Sequence, residues 1–452
     1  MSPARIAVVG GGLAGIAAAL AAADAGADVV LFERRPALGG LTTSVRRNGL
    51  SFDNGQHVFL RCCTAYRAFI DRIGATDEVF LQARLDVPVL APDGTRASIK
   101  RTALPAPLHL LGSLARYRHL SVRERAQLGR PALALRRLDP DDAALDNISF
   151  GDWLVSQGQS ERAIERLWDL IALPTLNVPA REASLALATK VFRVGLLDRC
   201  DSGDIGWSKV PLARLHGVNG ARALDGAGVE AVLGAAVSSI DRSSAGSFTI
   251  GAGPTRRVVD AVIVATPPRV AAALGAFADA DAAERLGTSP IVNVHLVLDR
   301  RVTELPFAAC VDSPIQFLFD RTASAGMGPG QCLAISLSAA SSYIARGSPE
   351  LVTLFLEAVR DLLPAARNAR LIDAVVTRER AATFRAAPGV RALRPPATTG
   401  VRGLFLAGAW CDTGWPATME GAVRSGQEAA SQALRQLGSP VEDHRPLEEA
   451  RS

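Results

Sequence analysis

Three glycines at a fixed spacing, set between two apolar runs, constrain this chain more than any other feature. Ile6-Ala7-Val8-Val9 is a short unbroken apolar stretch, as a parallel strand buried on both faces requires. Gly10-x-Gly12-x-x-Gly15 follows at once. In such a turn the first glycine permits the tight reversal and the second lets a pyrophosphate approach the backbone. The third lets the next helix pack closely on the strand. That helix opens at Leu13 and Ala14 and runs through the alanines to Ala23, its N-terminal N–H groups and dipole turned toward the phosphates. Val29-Val30-Leu31-Phe32 forms a second strand, and Glu33 at its end is placed to accept from a ribose hydroxyl. A carboxylate there repels a 2′-phosphate, which disfavours NADP at this site.

The same residues set a trap, because Ile6 to Ala23 carries no charge and passes for a membrane span or signal peptide. Gly10, Gly11, Gly12 and Gly15 crowd its centre, and the chain returns directly to a strand. Strand, glycine turn, helix, strand and acid in that order make a Rossmann-type dinucleotide-binding unit the better reading. At 452 residues the chain is too long for one ordinary core, so a second domain must be intergrown with the first.

Composition removes several classes. With 48% hydrophobic and 21% charged residues the chain is globular. Its net charge of +5 comes almost entirely from arginine, since the lysines are Lys100, Lys190 and Lys209 alone. That excess suits an anionic cofactor or lipid surface, while the lack of a dense basic-aromatic stripe argues against nucleic acid. The cysteines at 62, 63, 200, 310, 332 and 411 lack metal or redox spacing. They read as reduced, buried thiols of a cytoplasmic protein, with no metal site.

After Glu33 come Arg34, Arg35, Pro36, Ala37, Leu38, Gly39, Gly40 and Leu41. This resembles the extension found in the large flavoprotein family of amine oxidases and phytoene desaturases. The resemblance implies FAD, with Arg34, Gly39, Gly40 and Leu41 around the pyrophosphate and near the flavin. Phe52-Asp53-Asn54-Gly55-Gln56-His57-Val58 is similar to the family segment beside the isoalloxazine, which brings in Gly55, Gln56, His57 and Val58. Val237 with Ile240 resembles the strand over the adenine. Asp260 to Pro268, including Ala265, resembles the strand that returns to the cofactor domain. Near the C-terminus, Gly403-Leu-Phe-Leu-Ala-Gly408-Ala409-Trp410 leads through Asp412 to Trp415, Met419, Glu420 and Ala422, where a second helix N-terminus is expected to face the cofactor. Many members of the family carry Gly-Asp where this chain has Gly408-Ala409, so the ribityl contact must come from Asp412, backbone or water.

Over most of its length the chain resembles the bacterial squalene-associated FAD-dependent desaturases, which are hydroxysqualene dehydroxylases. The carriers are Asp53 to His57, Leu170-Ile171-Ala172-Leu173-Pro174-Thr175-Leu176-Asn177, the block from Asp412 to Gly426, and the pieces Leu108-His109-Leu110 and Tyr117-Arg118-His119-Leu120. The implied reaction is reductive removal of the hydroxyl of hydroxysqualene, a C30 isoprenoid, giving squalene for hopanoid synthesis. Hydroxide is a poor leaving group, so an acid must protonate it, and the candidates are His57, Asp53 and Asp412. An external electron donor is expected, and the sequence does not identify it, since it shows no second dinucleotide fingerprint for NAD(P)H. The implied fold is α/β: a Rossmann-type FAD-binding domain (1–85, 200–275 and 395–438) intergrown with an α+β substrate domain. The latter comprises a largely helical, membrane-facing region (86–199) and a sheet-containing part (276–394), and a charged tail (439–452) is expected to be disordered.

Local patterning predicts proline turns and helix from Leu85 to Leu138, helices from Phe150 to Leu187 broken at Pro174 and Pro179, strands from Glu230 to Val264, a strand over 290–299 and a helix over 351–363. Between Lys100 and Arg137 seven further arginines stand among leucines with Glu124 as the one acid. That suits either an anionic membrane interface, on the inner face of the cytoplasmic membrane, or a solvated basic face over packed helices. An oxidative carotenoid-type desaturase and a non-catalytic prenyl-binding protein of the same fold remain as alternatives. Val292-Asn293-Val294-His295 holds no lysine, which argues against amine oxidation.

Overall fold

The computed structural model describes residues 3–277 and 279–438, so the expected charged tail lies outside the described residues. The glycine signature folds as read. β1 (Arg5–Val9), α1 (Leu13–Asp24) and β2 (Asp28–Glu33) open a five-stranded parallel sheet. Its order is Glu230–Leu233, β2, β1, Ala261–Val264, Leu404–Leu406. Strands from three distant parts of the chain thus complete one sheet. Ile6, Ala7, Val8, Leu31, Val262 and Ile263 are all sealed from solvent, which explains why these strands are apolar without alternation.

α1 is closed in by a second helix, α2 (Met419–Gln436). A Cβ at Gly426 would collide with the carbonyl of Ala14, so the two helices meet backbone to backbone. Ala14, Ala17 and Ala18 on one side and Ala429, Ala430 and Ala433 on the other fill that junction with small side chains.

The second layer is a seven-stranded sheet in the order Leu371–Thr383, β3 (Ser289–Leu298), Gln331–Leu337, Phe317–Asp320, Phe307–Cys310, Asp86–Leu90, Arg96–Lys100. All its neighbours are antiparallel except Phe307–Cys310 with Asp86–Leu90. The strand and helix predicted over 290–299 and 351–363 are present as β3 and Ser348–Leu362. Alternation along β3 decides what each face does. Val292, Val294 and Leu296 pack under the helix with Leu351, Phe355 and Val359, while Asn293 and His295 point to the opposite face, toward the cofactor domain.

Two expectations are corrected. The stretch after Leu85 is a β-hairpin, not helix: residues 86–100 extend the substrate sheet, turning at Pro92-Asp93-Gly94 with Gly94 at φ +83°. Helices begin only beyond Lys100. Pro174 does not break its helix but lies inside Asp169–Leu176. That helix stops two residues later, where Asn177 takes a left-handed φ of +55°, so the missing N–H costs one bond near an end. Asn177 explains why the segment is distinctive: its amide donates to Ser289 and Thr383 and accepts from Ala339, tying the helical region to the sheet.

The α1–α2 junction yields a direct test. Gly426→Val places three carbons against the Ala14 backbone and is expected to lower the thermal midpoint sharply, whereas Gly226→Ala, at the end of the helix Asn219–Gly226 with open space around it, changes it little.

Candidate cofactor and active site

The glycines at the head of α1 divide by what surrounds them. Added Cβ atoms at Gly10 and Gly15 would strike the carbonyls of Ala265 and Gly10, so both are required by the protein's own packing. Gly12 differs: a Cβ there meets nothing nearer than the Gly40 Cα at 3.8 Å. Its bareness serves something that is not protein. Gly12 is also the N-cap of α1 and offers no side-chain cap, and the first turn holds no acid. Uncapped N–H groups beside open space are what a pyrophosphate occupies.

The second glycine turn completes this cradle. Gly39 donates its N–H to the Gly11 carbonyl at 2.9 Å, and a Cβ at Gly40 would lie 2.8 Å from the Gly12 Cα. Arg35, rather than the expected Arg34, reaches this turn: its guanidinium donates to the Gly40 carbonyl at 3.0 Å, while Arg34 is exposed. Glu33 is buried, its carboxylate accepting from Gly11 N at 2.7 Å and Arg35 N at 2.8 Å. Leu41 is exposed, and Val237 lies in the half-buried loop after Glu230–Leu233. The residues present fit the ADP half of FAD.

The flavin end is built from three segments. Gly408, at φ +144°, donates to Ser425 at 2.8 Å, and Trp410 behind it donates its indole N–H to the Thr266 carbonyl. Arg394, almost wholly buried, donates to the carbonyls of Ala409, Trp410, Cys411 and Trp415 and so shapes the loop leading to α2. The Trp415 ring is flanked by Lys190 at 5.7 Å and Arg424 at 5.0 Å. Thr418 caps α2 through the Gly421 N–H, within the turn of Met419 and Ala422. Glu420 is turned away from this loop. Its carboxylate accepts from Ala65 N, Tyr66 N and Arg424, which caps the helix Thr64–Arg72 and makes its role structural.

The segment from Asp53 to Val58 is held from the substrate sheet. Asp53 accepts from Ser44 at 2.6 Å, from Leu212 N at 2.9 Å and from Arg321 at 2.9 Å, with both members of the ion pair buried. The Asp53 carbonyl accepts from His295, and the Asn54 carbonyl accepts from both Asn293 and Thr377. Beyond these anchors lies a cleft lined by Gln56, His57, Val58, Ser208, Leu212, Phe319 and Arg321. Gln56 Nε2 and Arg321 Nε are buried there without an acceptor. The His57 ring makes no hydrogen bond among the described residues.

This geometry redistributes the three candidate acids. The Asp53 carboxylate is taken up by Ser44, Leu212 and the Arg321 guanidinium. Asp412 accepts from Gly414 N and stands 3.5 Å from Arg391 and 4.0 Å from Arg394. Burial holds the His57 imidazole below its ordinary pKa, against the pull of Asp53, so it is neutral near pH 7. Sequence reasoning missed Arg321, Asn293, Thr377 and Glu379. Glu379 is the pairing partner of Ile291, two residues from Thr377 and so on the same face. Burial raises its carboxyl pKa, opposed by Arg35 and by the Asn54 side chain. Period-two spacing along Leu371–Thr383 was the only local signal for this pair.

The comparisons identify the family. Residues 13–434 match the flavin containing amine oxidoreductase family, and the chain belongs to that family. It is an FAD-dependent oxidoreductase. The chain is 29% identical to the hydroxysqualene dehydroxylase of Rhodopseudomonas palustris, covering 94% of this chain and 97% of that one. It is 27% identical to the corresponding Zymomonas mobilis enzyme, at 94% and 98%. A probable zeta-carotene desaturase of Synechococcus elongatus is 25% identical, at 95% and 98%. Among solved structures, putrescine oxidase bound to putrescine superposes with a TM-score of 0.71 at 18% identity, covering 96% and 99%. That likeness establishes the amine oxidase fold.

Two outcomes follow. Gly12→Ala should keep the thermal midpoint of the FAD-free protein yet lose FAD affinity, measured by flavin fluorescence on titration, whereas Gly15→Ala should destabilise the fold itself. Stability should also fall with acid. Burial lowers His295 to about 4 and His216 to about 3 from an ordinary value of 6.5. The unfolded chain therefore binds protons that the native state refuses. Stability is complete above pH 6.5 and is lost as pH falls from 6.5 toward 4, which a series of thermal melts at fixed ionic strength reads directly.

Proposed function

We propose that this enzyme reductively removes the hydroxyl of a hydroxysqualene-like isoprenoid alcohol, giving squalene. The observation that carries the reading is the polar wall of the cleft. Gln56 offers a buried amide N–H with no protein acceptor, beside a His57 ring free of protein hydrogen bonds. A pure hydrocarbon would leave these groups unpaired, at a cost of about 1–3 kcal/mol for each buried one, whereas an alcohol oxygen satisfies them. Support also comes from the dehydroxylases, which this chain matches across nearly their whole length.

Reduced FAD, which Gly12, Gly40 and Glu33 would hold at one end and the Gly408–Met419 loop at the other, would supply the hydride, and a proton drawn from solvent would let the hydroxyl leave as water. The chain's own residues do the rest. Gln56 and a neutral His57 donate hydrogen bonds to the departing oxygen and orient the carbon that bears it. Phe319, Leu212 and Val58 exclude water from that carbon. Asp53 and Arg321 fix the loop on which Gln56 and His57 stand. Asp412, paired with Arg391 and Arg394, acts as a positioning group for the loop before α2.

Anaerobic turnover of hydroxysqualene by the FAD-loaded, chemically reduced enzyme tests this reading, with products identified by mass spectrometry. Squalene should form as the flavin reoxidises. Absence of squalene, with zeta-carotene or phytoene dehydrogenated by the oxidised, FAD-loaded enzyme instead, would transfer the enzyme to the oxidative desaturases. His57→Gln should retain FAD and its spectrum while turnover falls by about two to four powers of ten. Turnover at the unmodified rate would remove His57 from the chemistry.

A further inference from the structure

The stretch from Leu104 to Arg137 presents a surface unlike the rest of the molecule. Leu104, Leu108, Leu111, Val122 and Leu133 are exposed, Val122 to 74% and Leu111 to 60%. Three of them, Leu104, Leu108 and Leu111, fall within eight residues, whereas exposed large hydrophobics elsewhere occur singly, as Val218 and Ile372 do, or in pairs, as Leu41 and Val45 do. Arg116, Arg118, Arg123, Arg130, Arg136 and Arg137 are exposed on the same stretch. None of them is in a salt bridge among the described residues, so the stretch gathers six exposed guanidiniums without a carboxylate, where Arg5, Arg72, Arg257 and Arg269 each hold one and others such as Arg67 and Arg242 lack one. The one acid, Glu124, is consumed by Ser121 in a capping box and by Ser160.

The inner side of this surface is firmly mounted. Tyr117, His119, Leu120 and Leu128 are buried, and the Tyr117 hydroxyl donates to the Arg166 carbonyl at 2.6 Å. Arg162 and Arg166 both donate to the His119 carbonyl. Leucines that could have turned inward are therefore held outward by a packed base, beside cations without counterions.

We propose that this face docks on an anionic lipid bilayer. Leu104, Leu108 and Leu111 enter the boundary between headgroups and acyl chains, and Arg116, Arg118, Arg123 and Arg130 bind lipid phosphates. Guanidinium groups suit that task because they grip phosphate oxygens in pairs and shed water readily. A second copy of this chain is a poor occupant, since two such faces would oppose cation to cation. The inference goes beyond the proposed reaction and does not depend on it: the surface stands whichever lipid is transformed.

The test is flotation of the full FAD-loaded chain with liposomes on a density gradient. It requires no turnover, so its failure is distinct from failure of the dehydroxylase reading. The protein should rise with phosphatidylcholine vesicles containing phosphatidylglycerol and stay behind with phosphatidylcholine alone. Salt should weaken the binding. Each arginine removed from Arg118, Arg123 and Arg130 should cut the partition coefficient about fivefold. Leu108→Asp with Leu111→Asp should reduce binding even at low salt, with unchanged flavin spectrum and thermal midpoint showing that the variant is folded. Wild-type protein that stays at the bottom with anionic vesicles overturns the proposal, as does equal flotation of folded variants. A concentration-dependent dimer that the leucine variants dissociate, without lipid binding, would assign the face to a second copy.

Discussion

The buried ion pair between Asp53 and Arg321 is the joint on which the site depends. Asp53 ends a strand of the cofactor domain, and Arg321 follows a strand of the substrate sheet, 268 residues further along the chain. Two charges taken out of water would cost several kcal/mol each unless their remaining hydrogen-bonding capacity were used. Here it nearly is: Asp53 also accepts from Ser44 and Leu212, and Arg321 also donates to the Ser208 carbonyl at 2.7 Å. The Arg321 Nε alone is left over, and it belongs to the side chain that lines the cleft. The pair thus joins four pieces of chain and leaves its one unsatisfied donor where the ligand is expected. Its contribution is geometric definition more than stability, since an ion pair in such a place gains little over a packed apolar pair.

That joint accounts for the behaviour of the segment after it. Asn293 and Thr377 take the Asn54 carbonyl, and His295 takes that of Asp53, so the backbone entering Gly55 is fixed from the sheet. Gly55 then has only 3.1 Å between a hypothetical Cβ and the His57 ring, which leaves room for glycine and little else. The imidazole is held against its own loop and kept neutral by burial, facing the cleft without a protein partner. A neutral ring is suited to hydrogen bonding an alcohol and unsuited to storing a proton, so protonation of the departing oxygen must draw on solvent or on another group.

What the sequence made legible was local. Strand, glycine turn, helix and acid lie within thirty residues, and each glycine's role follows from backbone sterics, so the cofactor cradle could be read without coordinates. The later strands of the same sheet were visible as apolar runs, although their parallel order was not. Reading failed where the determining contact was remote or the local signals conflicted. Arg34 and Arg35 are equivalent as neighbours in sequence, and only the fold shows which reaches Gly40. The hairpin over 86–100 carried a strong turn in Pro92-Asp93-Gly94, yet Pro88 inside its first strand spoke against a sheet; the strand pairs with Phe307–Cys310 only beyond that proline, at Val89 and Leu90. Asp53 was legible as part of the site, but its pairing with Arg321 was not, because that partner has no local signature.

Glycine usage along the cradle separates what evolution kept for folding from what it kept for the ligand. Gly10, Gly15 and Gly426 are forced by protein carbonyls lying where a side chain would begin. Gly12 is forced by nothing in the protein, and so its absent side chain is a record of the ligand. The same reasoning applies to donors. Arg394 spends its guanidinium on four carbonyls of its own loop and is needed for shape, whereas Gln56 spends its buried amide N–H on none. Gly12 is thus unfilled by packing, and Gln56 is unfilled by hydrogen bonding. The first has the size and polarity of a pyrophosphate contact, and the second calls for a neutral oxygen acceptor. Under the proposed function an alcohol oxygen would take the second, which a hydrocarbon substrate would leave to the cofactor or to water.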